Sequence, residues 1–193
     1  MSILRPKLEI IKAPNEILHQ KSQPIHTVTD EIRTLFIEMY QYLTNTRNGI
    51  GLAAVQVGYL VKLIILHHEN FFSEPIAQNL EYSQIMELEE KYPIVMLNPR
   101  IIQSSDHYTE FEEGCLSFPK LFVKVKRPAD VTIEYEDIKM HTKVLKLSHS
   151  ILSVCVQHEI DHTNGKVFLD RISPLKRSLA LQKYKKLSTS TED

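Results

Sequence analysis

His158-Glu159-Ile160-Asp161-His162 sets two imidazoles four residues apart, with a carboxylate directly after the first. At about 1.5 Å rise per residue the two rings stand about 6 Å apart on one helical face, so both Nε2 atoms can reach one ion at roughly 2.0–2.1 Å. Glu159 lies about 100° around the helix from His158 and can face the open side of that ion without ligating it. The chemistry such a set supports is hydrolysis by one divalent metal, with Glu159 carrying the proton. Chance placement of the chain's nine His and seventeen Glu expects only about 0.04 such patterns. The bland reading, two surface histidines on a helix, also fits poorly with what precedes them. Ile151-Leu152-Ser153-Val154-Cys155-Val156 is apolar nearly all round, so this helix should be buried, and buried His and Glu side chains need partners.

A catalytic site of this kind has three protein ligands and one open position. Downstream, Gly165 stands where one metalloprotease pattern requires Gly, but Phe168 occupies the next ligand place and cannot ligate. The only later glutamate is Glu192, near the chain end, and Asp170 is a weak alternative. The third ligand is therefore expected upstream. Cys115 is the strongest candidate, in Glu112-Glu113-Gly114-Cys115-Leu116-Ser117, where Gly114 allows close backbone approach and two carboxylates are odd neighbours for a core thiol. The plain alternative for a lone Cys is a small buried hydrophobe, and Cys155, inside the apolar helix, fits that description.

These residues need elements to hold them. Residues 1–28 read as extended, with Pro14 and Pro24 as breakers. A helix follows, capped by Thr29 or Asp30, with Ile32, Leu35, Phe36, Met39 and Leu43 on one stripe. The Gly-rich stretch from Asn48 to Gln56 leads to a buried strand over 60–66. The segment 69–91 holds six acidic residues against one Lys and reads as a surface insertion. Strand patterns resume over 94–97, 123–125, 131–135 and 144–147. Ser148 or Ser150 caps the helix that carries both histidines, and Gly165 follows it as a C′ residue. A last helix starts with Ser173 as cap and Pro174 at its first position and continues through Leu187. Residues 188–193 read as a disordered tail. The expected architecture is α+β, with mixed or antiparallel sheets packed around the central metal-binding helix, and a C-terminal helix.

Bulk properties narrow the class. The 193 residues suit one domain over 1–187 with a sizeable core. With 42% hydrophobic and 24% charged residues and a formal net charge of -1, no whole-molecule field draws the chain to nucleic acid or anionic lipid. No DNA partner and no membrane partner is expected, because no run of about 18 apolar residues exists. The start of the chain is too polar for a secretory leader. Two cysteines in a cytoplasmic setting are expected as free thiols or ligands rather than a disulfide.

Three segments together resemble the peptide deformylase family: Gly49-Ile50-Gly51-Leu52-Ala53-Ala54-Val55-Gln56, Glu113-Gly114-Cys115-Leu116-Ser117 and Gln157-His158-Glu159-Ile160-Asp161-His162. They occur in the family's order, and the likeness runs over most of residues 8–187, including Asp170 to Arg177. The resemblance implies that Cys115, His158 and His162 hold the metal and that Glu159 is the catalytic acid and base. It implies that Gln56 and the backbone N–H of Leu116 stabilise the oxyanion. One divalent metal per chain is implied, Fe²⁺ in many members, with Zn²⁺, Ni²⁺ or Co²⁺ able to substitute. The implied reaction removes the formyl group from N-formylmethionyl nascent peptides and releases formate.

An apolar slot for the methionine side chain would be walled by Ile151, Val154 and Cys155, which precede His158 by seven, four and three residues on one helical face. Gly49, Ile50, Gly51, Phe111, Gly114 and Leu116 are its other expected walls, with Arg127 as a further peptide-binding residue. The cationic last helix (Lys176, Arg177, Lys183, Lys185, Lys186) is a candidate surface for the ribosome. Thr163-Asn164, the acidic segment, Phe111 and Phe122 depart from the family's usual pattern and bear on substrate preference. The rival readings are a zincin-like metallopeptidase using the same pentapeptide and a non-catalytic peptide-binding relative.

Overall fold

Leu63–Leu66 is apolar at every position and wholly buried, the pattern of a strand covered on both faces. In the computed structural model, which describes residues 8–46, 49–67 and 95–189, it is the second strand of a five-stranded sheet. The strands in chain order are β1 (Gly51–Ala53), β2 (Leu63–Leu66), β3 (Val95–Ser104), β4 (Tyr108–Cys115), β5 (Phe118–Pro128), β6 (Asp130–Glu136) and β7 (Thr142–Ser148). The helices are α1 (Asp30–Thr44), α2 (Ile151–Thr163) and α3 (Pro174–Thr189). The large sheet runs β1-β2-β3-β6-β7, and β4 and β5 pair separately. Every strand pair is antiparallel, so of the two options read from the sequence the antiparallel one holds. The acidic segment 69–91 and the final residues 190–193 lie outside the described residues.

Side-chain alternation along the strands decides which helix each residue meets. Leu63, Ile65, Val95 and Leu97 cluster with Leu35, Phe36, Met39 and Leu43 of α1. Ile64, Leu66 and Met96 cluster with Val156 and Ile160 of α2. The inner strands therefore lie between two helices. A third cluster joins Phe118, Leu121 and Val125 of β5 to Phe168, Leu169 and to Ala180 and Tyr184 of α3, which docks the β4–β5 hairpin against the end of the chain.

Capping sets the helix starts. The Thr29 hydroxyl accepts from the Ile32 N–H, and the Ser150 hydroxyl accepts from the Ser153 N–H; these resolve the two ambiguous caps in favour of Thr29 and Ser150. Gly165, one residue past the C-cap of α2, has φ +71°, and a Cβ there would meet the His19 carbonyl oxygen at 2.5 Å, so both conformation and space require glycine. β3 runs on through Asn98-Pro99, which read as a strand end. It survives there because Asn98 takes φ 51° at a register shift while its amide bonds both backbone groups of Ile25, at 2.8 and 2.7 Å. β4 carries too many charges to announce itself as a strand. No helix among the described residues is long and apolar enough to cross a membrane. Both cysteines are free thiols.

Candidate active site

α2 brings His158 and Glu159 to the foot of a cleft of about 430 Å³, β4 ends there at Cys115, and His162 lies buried behind Cys115. One ligand atom from each of Cys115, His158 and His162 lies within 4.8 Å of the other two. Cys115 Sγ is 3.3 Å from His162 Nε2. His158 donates from Nδ1 to Glu113 Oε2 at 2.9 Å, which leaves Nε2 as its free atom, the pairing in which a carboxylate orients a metal-ligating imidazole. Asp170, the weak sequence candidate, is committed elsewhere: it accepts from the Val167 N–H at 2.9 Å and pairs with Arg177 at 2.7 Å.

Electrostatics fit a cation at this point. Burial works against a charged His158, yet the neighbouring Cys115 and Glu113 outweigh it and hold its pKa well above the usual imidazole range. The cluster thus draws positive charge. Burial, reinforced by His158, holds His162 well below that range, in the neutral form that ligates. A soft sulfur with two imidazoles is a donor set that suits one divalent transition-metal ion.

Glu159 is 4% exposed, and its Oε2 is buried with no hydrogen-bond partner. Burial pushes its pKa up to about 7, near the optimum for a group that must both take and give a proton. Space for it comes from Gly51: a Cβ there would stand 2.6 Å from Glu159 Oε1 and 2.7 Å from Cys155 Sγ. Gln56 approaches from the other side. Its Oε1 accepts from the Ala53 N–H at 2.9 Å, so its Nε2 must point the opposite way, and it does, to Cys115 Sγ at 3.4 Å and Ser117 Oγ at 3.2 Å. The side-chain amide is therefore oriented by the fold, with its donor toward the cluster.

The cleft wall contains most of the residues expected from the sequence: Gly49, Ile50, Gly51 and Gln56 on one side, Phe111, Gly114, Cys115 and Leu116 on another, and Ile151, Val154 and Cys155 along α2. Cys155, read as a small hydrophobe, faces the cleft, and burial followed by the Glu159 charge pushes its thiol pKa well up. Arg127 does not join them. It is 2% exposed and turned inward, bonding both Glu113 oxygens at 2.5 and 2.9 Å and Asp161 Oδ2 at 2.8 Å, away from the cleft wall on which a peptide-binding residue was expected. A desolvated guanidinium needs carboxylates around it, and these two supply them. Asp161 in turn accepts from Arg171 Nε at 2.8 Å.

Sequence reasoning gave Glu113, Asp161 and Arg171 no role. Glu113 was findable: two residues before Cys115 on a strand, it must share that residue's face. Asp161 and Arg171 carried no comparable signal.

An α+β fold with a Cys/His/His cluster, a buried carboxylate beside it and an apolar cleft above defines a hydrolase with one candidate metal centre among the described residues. The chain matches the family model described as polypeptide deformylase over residues 7–178. A peptide deformylase of Hydrogenovibrio crunogenus is 39% identical over 180 residues, covering 93% of this chain and 94% of that protein; one of Novosphingobium aromaticivorans is 35% identical over 184 residues, covering 93% and 96%. The crystal structure of peptide deformylase from Ehrlichia chaffeensis superposes with a TM-score of 0.77 at 33% identity, covering 95% of this chain and 97% of that one. The same enzyme in complex with actinonin gives 0.76 at 32% identity, covering 93% and 96%. The chain belongs to the polypeptide deformylase family.

Proposed function

We propose that this protein hydrolyses the formyl group from N-formylmethionyl nascent peptides, releasing formate and a free N-terminal methionine. The observation that carries the reading is the convergence of Cys115, His158 and His162 within 4.8 Å of one another, beside the buried Glu159 in an apolar cleft. Cys115, His158 and His162 would hold one divalent metal, which we read as Fe²⁺, with Zn²⁺, Ni²⁺ or Co²⁺ able to substitute. When bound, that ion supplies Lewis acidity, lowering the pKa of water toward 7 and polarising the formyl carbonyl.

The chain's own groups do the rest. Glu159 accepts the proton of the attacking water and returns it to the leaving amine. Gln56 donates its Nε2 N–H, and Leu116 its backbone N–H, to the oxyanion as the carbonyl becomes tetrahedral. Ile151, Val154 and Cys155 wall the methionine slot, with Gly49, Ile50, Phe111 and Gly114 opposite. Gly51 keeps the Glu159 carboxylate clear. Among the described residues β1 and β4 each pair on one side only, which suits an extended peptide lying along those edges.

Neither rival reading has an observation in its favour: the upstream Cys115 lies with His158 and His162, and the buried Glu159 and the orientation of Gln56 support hydrolysis with Cys115 as the third donor. A formate-release assay on formyl-Met-Ala-Ser, with protein purified anaerobically and its metal identified by elemental analysis, tests the reading. Cleavage of internal peptide bonds without formate would replace it with a metallopeptidase. We place this activity in the cytoplasm, where formylated chains leave the ribosome. The ribosome is a proposed partner through α3, where Lys176, Lys183, Lys185 and Lys186 are exposed; reversing the charges of the last three should abolish co-sedimentation with ribosomes.

A further inference from the structure

Above the methionine slot, the end of the β4–β5 hairpin overhangs the cleft. Gly114 faces Phe122 and Cys115 faces Phe118, so residues 119–121 are extra on β5 and form a bulge. Lys120, at its middle, has φ 65°, a left-handed backbone uncommon for a residue with a side chain and often found at functional sites. Lys120 and Phe122 both line the cleft. Phe122 lies over Gly114, where a Cβ would meet its ring at 2.7 Å, yet 55% of it is exposed. An aromatic ring fixed on backbone with its outer face in water is a ready contact surface.

The charges of the hairpin are nearly all matched. Glu110 stands opposite Lys126 and Glu112 opposite Lys124, and Lys124 Nζ comes within 3.9 Å of Glu110. Lys120 has no carboxylate opposite it and makes no ion pair among the described residues. The ring of Phe122 and the unpaired Lys120 thus remain at the mouth of the cleft, with Glu112 also on its wall and opposite Lys124 in register.

We propose that Lys120 and Phe122 form a subsite for the residues that follow the formylated methionine, with Phe122 as an apolar bed and Lys120 favouring acidic over basic side chains. This rests on the deformylase reading, and the test separates the two. Formate release is measured at low ionic strength from formyl-Met-Ala-Glu-Glu-amide and formyl-Met-Ala-Lys-Lys-amide, each normalised to formyl-Met-Ala-amide. The acidic peptide should have the higher kcat/KM by about two- to fivefold, the scale of an exposed ion pair, and salt should erode the difference. Lys120→Gln should level the ratio and Lys120→Glu should invert it; a general loss of activity moves neither. Phe122→Ala should lower kcat/KM for both longer peptides relative to the short one. A ratio unchanged by Lys120→Glu overturns the subsite while leaving deformylation intact. No formate from any of the three peptides overturns the deformylase reading and the subsite with it.

Discussion

Glu159 and Gly51 meet in the cleft, and each has a replacement that isolates its role. Glu159→Gln keeps the shape but cannot accept a proton. Formate release should fall by about 10²–10⁴, the usual range for a lost general base, while elemental analysis shows metal content unchanged. Undiminished turnover in that variant would remove Glu159 from the mechanism. Gly51→Ala tests space rather than chemistry. The added methyl would sit 2.6 Å from Glu159 Oε1 and 2.7 Å from Cys155 Sγ, so the carboxylate must move. Activity should collapse with a stability cost of about 1–3 kcal/mol, typical of overpacking, read by thermal melting. Full activity in Gly51→Ala would mean that the cleft floor is looser than the distances imply.

At the scale of elements, α2 is the part whose integrity the proposed site depends on, because two of the three proposed ligands and the proposed acid/base lie within its last six residues. Ser150 caps its start through the Ser153 N–H at 3.2 Å. Ser150→Ala should cost about 1 kcal/mol. Since the cap is two turns from His158, the metal content measured after dialysis should drop much less than for His158→Ala. A Ser150→Ala variant as stable as the parent would show that packing of Val156 and Ile160 under the sheet already defines the helix start. The β4–β5 hairpin is the other supporting element. It supplies Cys115 from one strand, Arg127 from the other, and Phe122 at the cleft mouth.

Across the molecule, one buried ionic network ties these elements together. Arg127 on β5 holds Glu113 on β4 and Asp161 on α2; Glu113 orients His158; Asp161 also accepts from Arg171 beyond α2. Burial alone would raise the Glu113 pKa, but His158 and Arg127 outweigh it and hold the carboxyl below its usual range. Arg127→Met should destabilise by about 3–5 kcal/mol, the cost of leaving buried charges without their partner. The lower end is expected, because Glu113 keeps His158 and Asp161 keeps Arg171. Chemical denaturation measures this, and metal affinity should weaken in parallel as His158 loses its fixed orientation. A stability loss below about 1 kcal/mol would mean that solvent enters the network.

Much of this protein is determined locally and is readable from residue order. The histidine spacing, a serine cap at 148 or 150, the apolar run before His158 and the Gly165 stop each follow from backbone hydrogen bonding and helical period, which act over a few residues. The all-apolar Leu63–Leu66 announces a strand buried on both faces for the same reason. Cys115 is named by eliminating downstream ligands, by its unusual neighbours Gly114 and two carboxylates, and by resemblance, since helical period and local hydrogen bonding cannot reach from it to His158. The inward pairing of Arg127 with Glu113 and Asp161 was not legible, because a cation's local sequence does not say whether it meets substrate or buried carboxylates. β4 was missed because Glu113 faces inward, which is tolerable only once Arg127 and His158 are folded against it. Those choices rest on burial and charge pairing between distant segments, quantities that exist only after the chain has closed on itself.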